Sequence, residues 1–424
     1  MNALVVVLHH ITLIDGTGAE PMPDATVAFR DGSFIYAGKA RTWLPSLQED
    51  ILNMDFTGKF VLPGLIDCHV QLARGGEPHG RIDGDDGVVA LRILNNARRN
   101  LAGGITTVRD LGGWDGVEFA VRESIHRGDF CGPRLVLSGR CITSSDAALQ
   151  QHAGRYRVAK GPDEVRKAAR EQLRRGADWI ELAMTGSLLV QDDVPVTTLL
   201  SPEECGAAVE EAAVAGKHVA AHAHGIEGIR QAVLAGATTI EHATFLHKGR
   251  DVIDEMLKRG TFMVPTLNAG RVIAEGGTSR VPDWMVERLN DTYESARKST
   301  RLAHQAGVAV AMGSNAGTPL NRHGENALGV MSIQQAGLKP MEALVSATLT
   351  AARALGRDSQ LGTIQEGKLA DLLVLDSDPL EDLSRLADKK QLRAVFLDGK
   401  LVARQATDSY PRIVLNRDCL LIGQ

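Results

Sequence analysis

Five apolar runs in the middle of this chain end in polar residues able to bind a metal ion or move a proton. LPGLIDC runs into His69 and Gln71, WI into Glu181, HVAA into His222 and His224, TTI into Glu241 and His242, and VAVAMG into Ser314 and Asn315. A strand covered on both faces is continuously apolar, as strands of a helix-flanked parallel sheet must be. The spacing predicts strands over Leu62–Gln71, Ile105–Leu111, Arg134–Gly139, Trp179–Met184, His218–His224, Thr239–Thr244, Phe262–Thr266 and Val308–Ser314. Amphipathic helical segments lie between them, at Pro162–Arg175, Pro202–Ala215 and Ile226–Ala235. Proline early in a helix, with Gly161 or Ser201 before it, is a start signal, and Arg175–Ala177 and Ala235–Ala237 carry the glycine that stops one. Eight strand–helix units in roughly 290 residues fit a (β/α)8 TIM barrel, in which all C-terminal strand ends face one mouth. A doubly wound open sheet gives the recurring polar ends no such common destination.

The two ends of the chain have a different texture. Short apolar runs broken by Asp-Gly turns fill residues 5–60, and the pattern returns in GKLADLLVLDSDPL and LRAVFLDGKLV. Such runs indicate antiparallel β structure. The expected organisation is a β-sandwich domain from residues 1–60 and 357–424, enclosing a barrel at 61–356. The apolar Leu420-Leu421-Ile422 tail is expected at an interface or on the sandwich. Hydrophobic residues make up 44% and charged residues 23%, with a net charge of −5 and both signs interleaved. No basic stripe is available for nucleic acid or a membrane surface, so neither is expected as a partner. The cysteines, Cys68, Cys131, Cys141, Cys205 and Cys419, are odd in number and never paired as CxxC, which suits a reduced, cytoplasmic protein without disulfides.

A single histidine in an apolar strand is usually a hydrogen-bonded core residue, and His9, His10, His126, His247 and His304 are read as solvated or structural. His69, Glu181, His222 and His242 are different, because all four end barrel strands on the same side. A buried carboxylate among imidazoles is kept ionised by a bound cation. The motifs carrying these residues resemble the amidohydrolase superfamily, in its imidazolonepropionase-like and Xaa-Pro dipeptidase-like branch. VLPGLIDCH with the preceding DFTGKF, GADWIELAMTGS, AAHAHG, TIEHAT, AMGSNAGTP and the closing GTIQEGKLADLLVLDSDP follow in the family order. The resemblance implies hydrolysis of a carbon–nitrogen bond in a small-molecule amide, peptide-like, cyclic amide or urea-type substrate, and a homo-oligomer.

In that family strand one supplies an HxH pair, strand four a carbamylated lysine, strands five and six a histidine each, and strand eight an aspartate. His69, His222 and His242 keep their places. Gln71 stands for the second histidine, Glu181 for the lysine and Asn315 for the aspartate. Glutamate supplies a carboxylate without modification, whereas Gln71 offers only a weak amide oxygen to zinc. Asn315 takes no proton from water and cannot be an ordinary general base. One complete ligand set survives, Glu181, His222 and His242 with His69 beside it, so one divalent ion, zinc, is expected rather than two. His69 is then read as the proton shuttle and Asn315 as a positioner. His224, Arg322 and His323 are read as substrate-binding, Arg109 as a rim residue paired with Asp110 or a neighbour, and the Arg74–Asp86 segment as a lid or a solvated loop. Deamination or another water addition on a nitrogen heterocycle, and a degenerate barrel that only binds, are the competing functions.

Overall fold

The structure, a computed structural model, describes residues 4–40, 50–78, 82, 84–145, 154–276, 280–405 and 421–423. Strands from both termini share one nine-stranded sheet. Val5–Leu13 pairs antiparallel with Met22–Arg30, which pairs with Ser33–Lys39, while Ile51–Asp55 lies parallel to the first strand. Phe60–Pro63 joins this N-terminal group to Leu372–Leu375, and the sheet continues through Leu392–Leu397 and Lys400–Gln405. The tail strand Leu421–Gly423 adds to its edge. Phe29, Phe34 and Phe396 pack edge to face inside it, all 2% exposed or less.

The middle of the chain is an α/β fold of the TIM-barrel type. Leu65–Val70, Ile105–Asp110 and Arg134–Leu137 form one parallel sheet. Cys141–Thr143, Trp179–Ala183, His218–Ala223, Thr239–His242 and Phe262–Val264 lie in a second, where Tyr156–Val158 pairs with Cys141–Thr143. The two sheets meet where the Asp178 amide donates to Leu137 O at 2.8 Å. The expected strand at Val308–Ser314 forms no regular ladder, only isolated bridges of Val310 to Met263 and of Ala316 to Val70. It nevertheless bonds on both sides, receiving Met263 N at Ala309 O and Cys68 N at Met312 O, and donating Asn315 N to His69 O. Its backbone turns to positive φ at Asn315 (57°), which breaks the regular repeat.

Local signals account for the helices. Pro162–Arg174 and Pro202–Val214 begin with proline, and Ser201 forms a capping box with Glu204. Gly176 (φ 97°) and Gly236 (φ 99°) follow their helices in the left-handed region that an L side chain avoids. One cysteine expectation is corrected: Cys68, Cys141 and Cys205 are free and buried, but Cys131 is disulfide-bonded. Spacing along the chain carries no information about which thiols meet in space. Part of the Arg74–Asp86 segment, including His79, and Cys419 and Leu420 lie outside the described residues. No helix among the described residues is long and apolar enough to cross a membrane.

Candidate active site

The strand ends deliver three imidazoles to one place. His222 and His224 project from the end of His218–Ala223 two residues apart, the repeat that keeps alternate side chains on one face. His242 ends its own strand at φ 69°. The potential ligand atoms of His222, His224 and His242 all lie within 4.8 Å of one another. Their outer nitrogens are held by hydroxyls: His224 Nδ1 meets Thr244 Oγ1 at 2.8 Å, and His242 Nδ1 meets Thr266 Oγ1 at 2.7 Å. These contacts direct both Nε2 atoms inward, the way ligating histidines are oriented by outer partners. His242 Nε2 is 2.8 Å from His222 Nδ1. Burial, reinforced by the neighbouring imidazoles, keeps His224 and His242 well below the ordinary histidine range, and burial brings His222 to about 3. All three are therefore neutral at pH 7, the form that binds a metal.

Backbone strain is concentrated here. Positive φ occurs at His242, Ala243, Thr266 (49°) and Asn315, and for the β-branched Thr266 it is a genuine outlier. Such conformations persist where surrounding structure over-determines them, and they cluster at functional sites.

Two further site residues carry unpartnered buried atoms. His69 is 1% exposed; its Nδ1 lies 2.8 Å from Glu241 Oε2, and its Nε2 has no hydrogen-bond partner. Arg109 and the hydrogen bonds around Glu241 hold that carboxyl below its ordinary range despite burial. An ionised carboxylate only accepts, so Nδ1 carries a proton. Glu181 is likewise buried, with Oε2 unpartnered. Burial pushes its pKa up. It borders a smaller cavity of about 270 Å³ together with His222 and Arg155.

The remaining expected residues fall into two groups. Gln71 donates Nε2 to Asn315 Oδ1 at 2.9 Å and accepts Arg74 Nη1 on Oε1 at 3.0 Å. Its amide oxygen is thus engaged by a cation of the protein itself. His323 is committed to Asn100, Gln71 O and Arg74 O, and Arg322 is exposed. Neither lines the main cavity. Arg109 is also corrected: it is fully buried, pairs with Glu241 at 2.7 Å across the barrel rather than with Asp110, and lies over Trp179 at 4.4 Å.

Glu241 is the strand-end residue to which the sequence reading gave no role. It stands in TIEHAT directly before His242, and a charge inside a strand predicted to be wholly buried was the available signal. Asp67 was missed as well. Its carboxylate accepts from His69 N, Ser314 N, Ser314 Oγ and Asn326 Nδ2, which fixes the first strand end against the last.

The imidazoles open into a cavity that also reaches Gln71, Arg74, Arg155 and Asn315. Its lining includes the apolar Leu188, Val190, Leu267 and Leu289, and Tyr293. A histidine-lined pocket at the strand ends of a TIM-barrel-type fold defines a hydrolase-type site. Ochratoxinase of Aspergillus niger is 29% identical over 432 residues, covering 94% of this chain and 87% of that one. Imidazolonepropionase of Sphingopyxis alaskensis is 26% identical over 390 residues, 86% of this chain and 89% of its own. A crystal structure of a Xaa-Pro dipeptidase with methionine bound in its active site superposes with a TM-score of 0.84 at 29% identity, over 94% of this chain and 99% of that one. The profile of the amidohydrolase family matches residues 60–402. The chain belongs to that family and is a hydrolytic enzyme acting on carbon–nitrogen bonds.

Proposed function

We propose that this enzyme cleaves a C–N bond of a small-molecule amide at a site holding one divalent ion, zinc. The reading treats residues 61–356 as a closed eight-stranded barrel completed by the 308–316 segment. The observation that carries it is the convergence of His222, His224 and His242 on one open cavity. The donor set fits a metal: three neutral imidazoles, two of them held by hydroxyls at the outer nitrogen, and Glu181 Oε2, a buried carboxylate oxygen with no partner. His222, His224 and His242 would hold the ion, with Glu181 as the carboxylate donor. Bound there, zinc lowers the pKa of a water and polarises a carbonyl. His224 therefore moves from substrate contact to ligand.

The chain's own residues supply the rest. His69, its tautomer set by Glu241, offers Nε2 as the proton acceptor that Asn315 cannot provide. Asn315 is held by Gln71 on one side and by the His69 backbone on the other, so it orients but takes no proton. The apolar wall receives the substrate's hydrocarbon part and excludes water around it. The relatives' names agree with this class, since ochratoxinase and Xaa-Pro dipeptidase are hydrolases.

Metal analysis of protein expressed in zinc-supplemented medium and dialysed tests the proposal. One equivalent per chain, with hydrolysis of at least one member of a panel of N-acyl amino acids and dipeptides, is expected. Two retained equivalents would overturn the single-ion site, and none would favour a barrel that binds without turnover.

A further inference from the structure

The segment between Ala183 and Pro202 meets the cavity with one half and is fixed to the barrel by the other. Ser187, Leu188, Leu189 and Val190 line the cavity. At the base of the segment Thr185 bridges Thr198, Gly186 N donates to Thr197 O at 3.2 Å, and Leu199 N donates to Met184 O at 2.9 Å. Gly186 lets the two arms approach closely, since a Cβ there would fall 2.5 Å from Val194 O. Buried Asp193 accepts Ser145 Oγ at 2.9 Å and Ser187 N at 3.1 Å. The cavity-lining half is held from a different element. Arg288, half-buried on the helix Asp283–Ala306, donates Nη1 to Val190 O at 2.8 Å and Nη2 to Gln191 O at 2.9 Å, with Ser187 O 3.5 Å from Nη1. Its guanidinium lies over the Trp284 ring at 4.9 Å. The next residue, Leu289, and Thr292, Tyr293 and Ala296 on the same helix line the same cavity.

We propose that Arg288 is a positioning residue that ties the 187–191 backbone to the 283–306 helix, and so fixes the apolar lining that selects the substrate's hydrocarbon group. This rests on the hydrolytic reading only in calling the bound molecule a substrate. The polar partners of this cation are carbonyls of one short stretch of backbone, so its bonds fix the shape of that stretch. A planar fork of donors holds such acceptors in a set arrangement, and bonds from a charged donor are among the stronger ones. Leu188 and Leu289 lie in one buried apolar cluster, so the tie sets how they stand to each other. A lining ordered before binding spares the ligand the cost of ordering it.

Isothermal titration of the purified, metal-loaded enzyme with N-acetylphenylalanine and with N-acetylalanine, which differ only in the apolar group, tests this. Burial of the phenyl ring predicts that the first binds about tenfold tighter to the wild type. Arg288→Met is expected to lose most of that preference, with the N-acetylalanine affinity unchanged, and Arg288→Lys to keep part of it. Hydrogen exchange read by mass spectrometry should quicken in the 187–193 peptide of Arg288→Met and not in the barrel strands. Near-ultraviolet circular dichroism establishes that each variant is folded. A wild type that binds both ligands equally, or neither, overturns the inference, as do an undiminished preference or unchanged 187–193 exchange in folded Arg288→Met. Equal loss of affinity for both ligands overturns it too, since that is what general damage produces. Should Arg288→Met fail to fold, the same two measurements on Arg288→Lys decide. Because binding is read without turnover, absent hydrolysis with a preference that depends on Arg288 would defeat only the functional reading. Hydrolysis with a preference indifferent to Arg288 would defeat only this one.

Discussion

Replacing Glu241 by glutamine removes one charge from the most enclosed ion pair near the site. Glu241 and Arg109 are both 0% exposed; the carboxylate accepts Arg109 Nη2 at 2.7 Å and Thr239 Oγ1 at 2.5 Å, and bonds His69 Nδ1 at 2.8 Å. Glutamine has the same shape but leaves the Arg109 guanidinium buried without a counter-charge. Breaking a buried pair from one side costs about 3–5 kcal/mol. Equilibrium urea unfolding followed by tryptophan fluorescence measures the loss, with Trp179 directly beneath Arg109 as one reporter. The double variant Arg109→Met with Glu241→Gln carries neither charge and should regain most of that stability. It should not regain activity, because His69 still lacks the carboxylate that fixes its tautomer, and losing such an orienting partner costs roughly 10–100-fold. A single variant within about 0.5 kcal/mol of wild type, or a double variant no more stable than the single, would refute this account of the pair.

His323 makes stability depend on pH. Burial brings it from 6.5 to about 4 in the folded chain, so between those values the unfolded chain binds the extra proton. Its contribution is present above pH 6.5 and is lost as pH falls towards 4, a gap worth about 3 kcal/mol. His323→Gln keeps donors for Gln71 O and Arg74 O but does not titrate, so its unfolding free energy should fall less steeply than wild type over that range; identical slopes count against it. Glu181→Gln should weaken zinc binding by more than about tenfold in a chelator competition, since even outer-shell losses reach that size. An unchanged affinity would remove Glu181 from the ligand set. Restoring the family pattern with Gln71→His and Asn315→Asp should add no second metal equivalent while Arg74 remains, and should add one when Arg74→Met is included; a second equivalent in the double variant would show that Arg74 is not the obstacle.

Much of the barrel was legible because burial on two faces forces continuous apolar runs, and the polar residue ending each run marks its mouth. Period two already placed His222 and His224 on one face, although the chemistry of the cluster they form with His242 needed coordinates. The Arg109–Glu241 pair joins residues more than a hundred positions apart, and nothing local in TTVRDLGG distinguishes a partner across the barrel from the adjacent Asp110. Val308–Ser314 reads as a strand because its composition is a strand's; the positive φ at Asn315 and the bridging geometry that replace a ladder arise only against both neighbours. Arg155 sits in GRYRVAK, where no pattern separates a buried arginine from a solvated one.

The departures from the family pattern leave a positive charge on the Gln71 side of the pocket. Where the family places a histidine and an aspartate, Gln71 and Asn315 are bonded to each other, and the outer end of the chain of bonds is Arg74. Both amide oxygens are used as acceptors, and the nearest full charge on that side is positive. A cation placed there meets the Arg74 guanidinium and two amide oxygens that already accept hydrogen bonds. His222, His224 and His242 bring their ligand atoms within 4.8 Å of one another beside the same cavity, and Glu181 borders a smaller cavity together with His222 and Arg155. Gln71 and Asn315 thus replace two family ligand positions with a hydrogen-bonded amide pair that Arg74 caps. On the single-ion proposal, His69, bonded to Glu241, is the group that would take the proton.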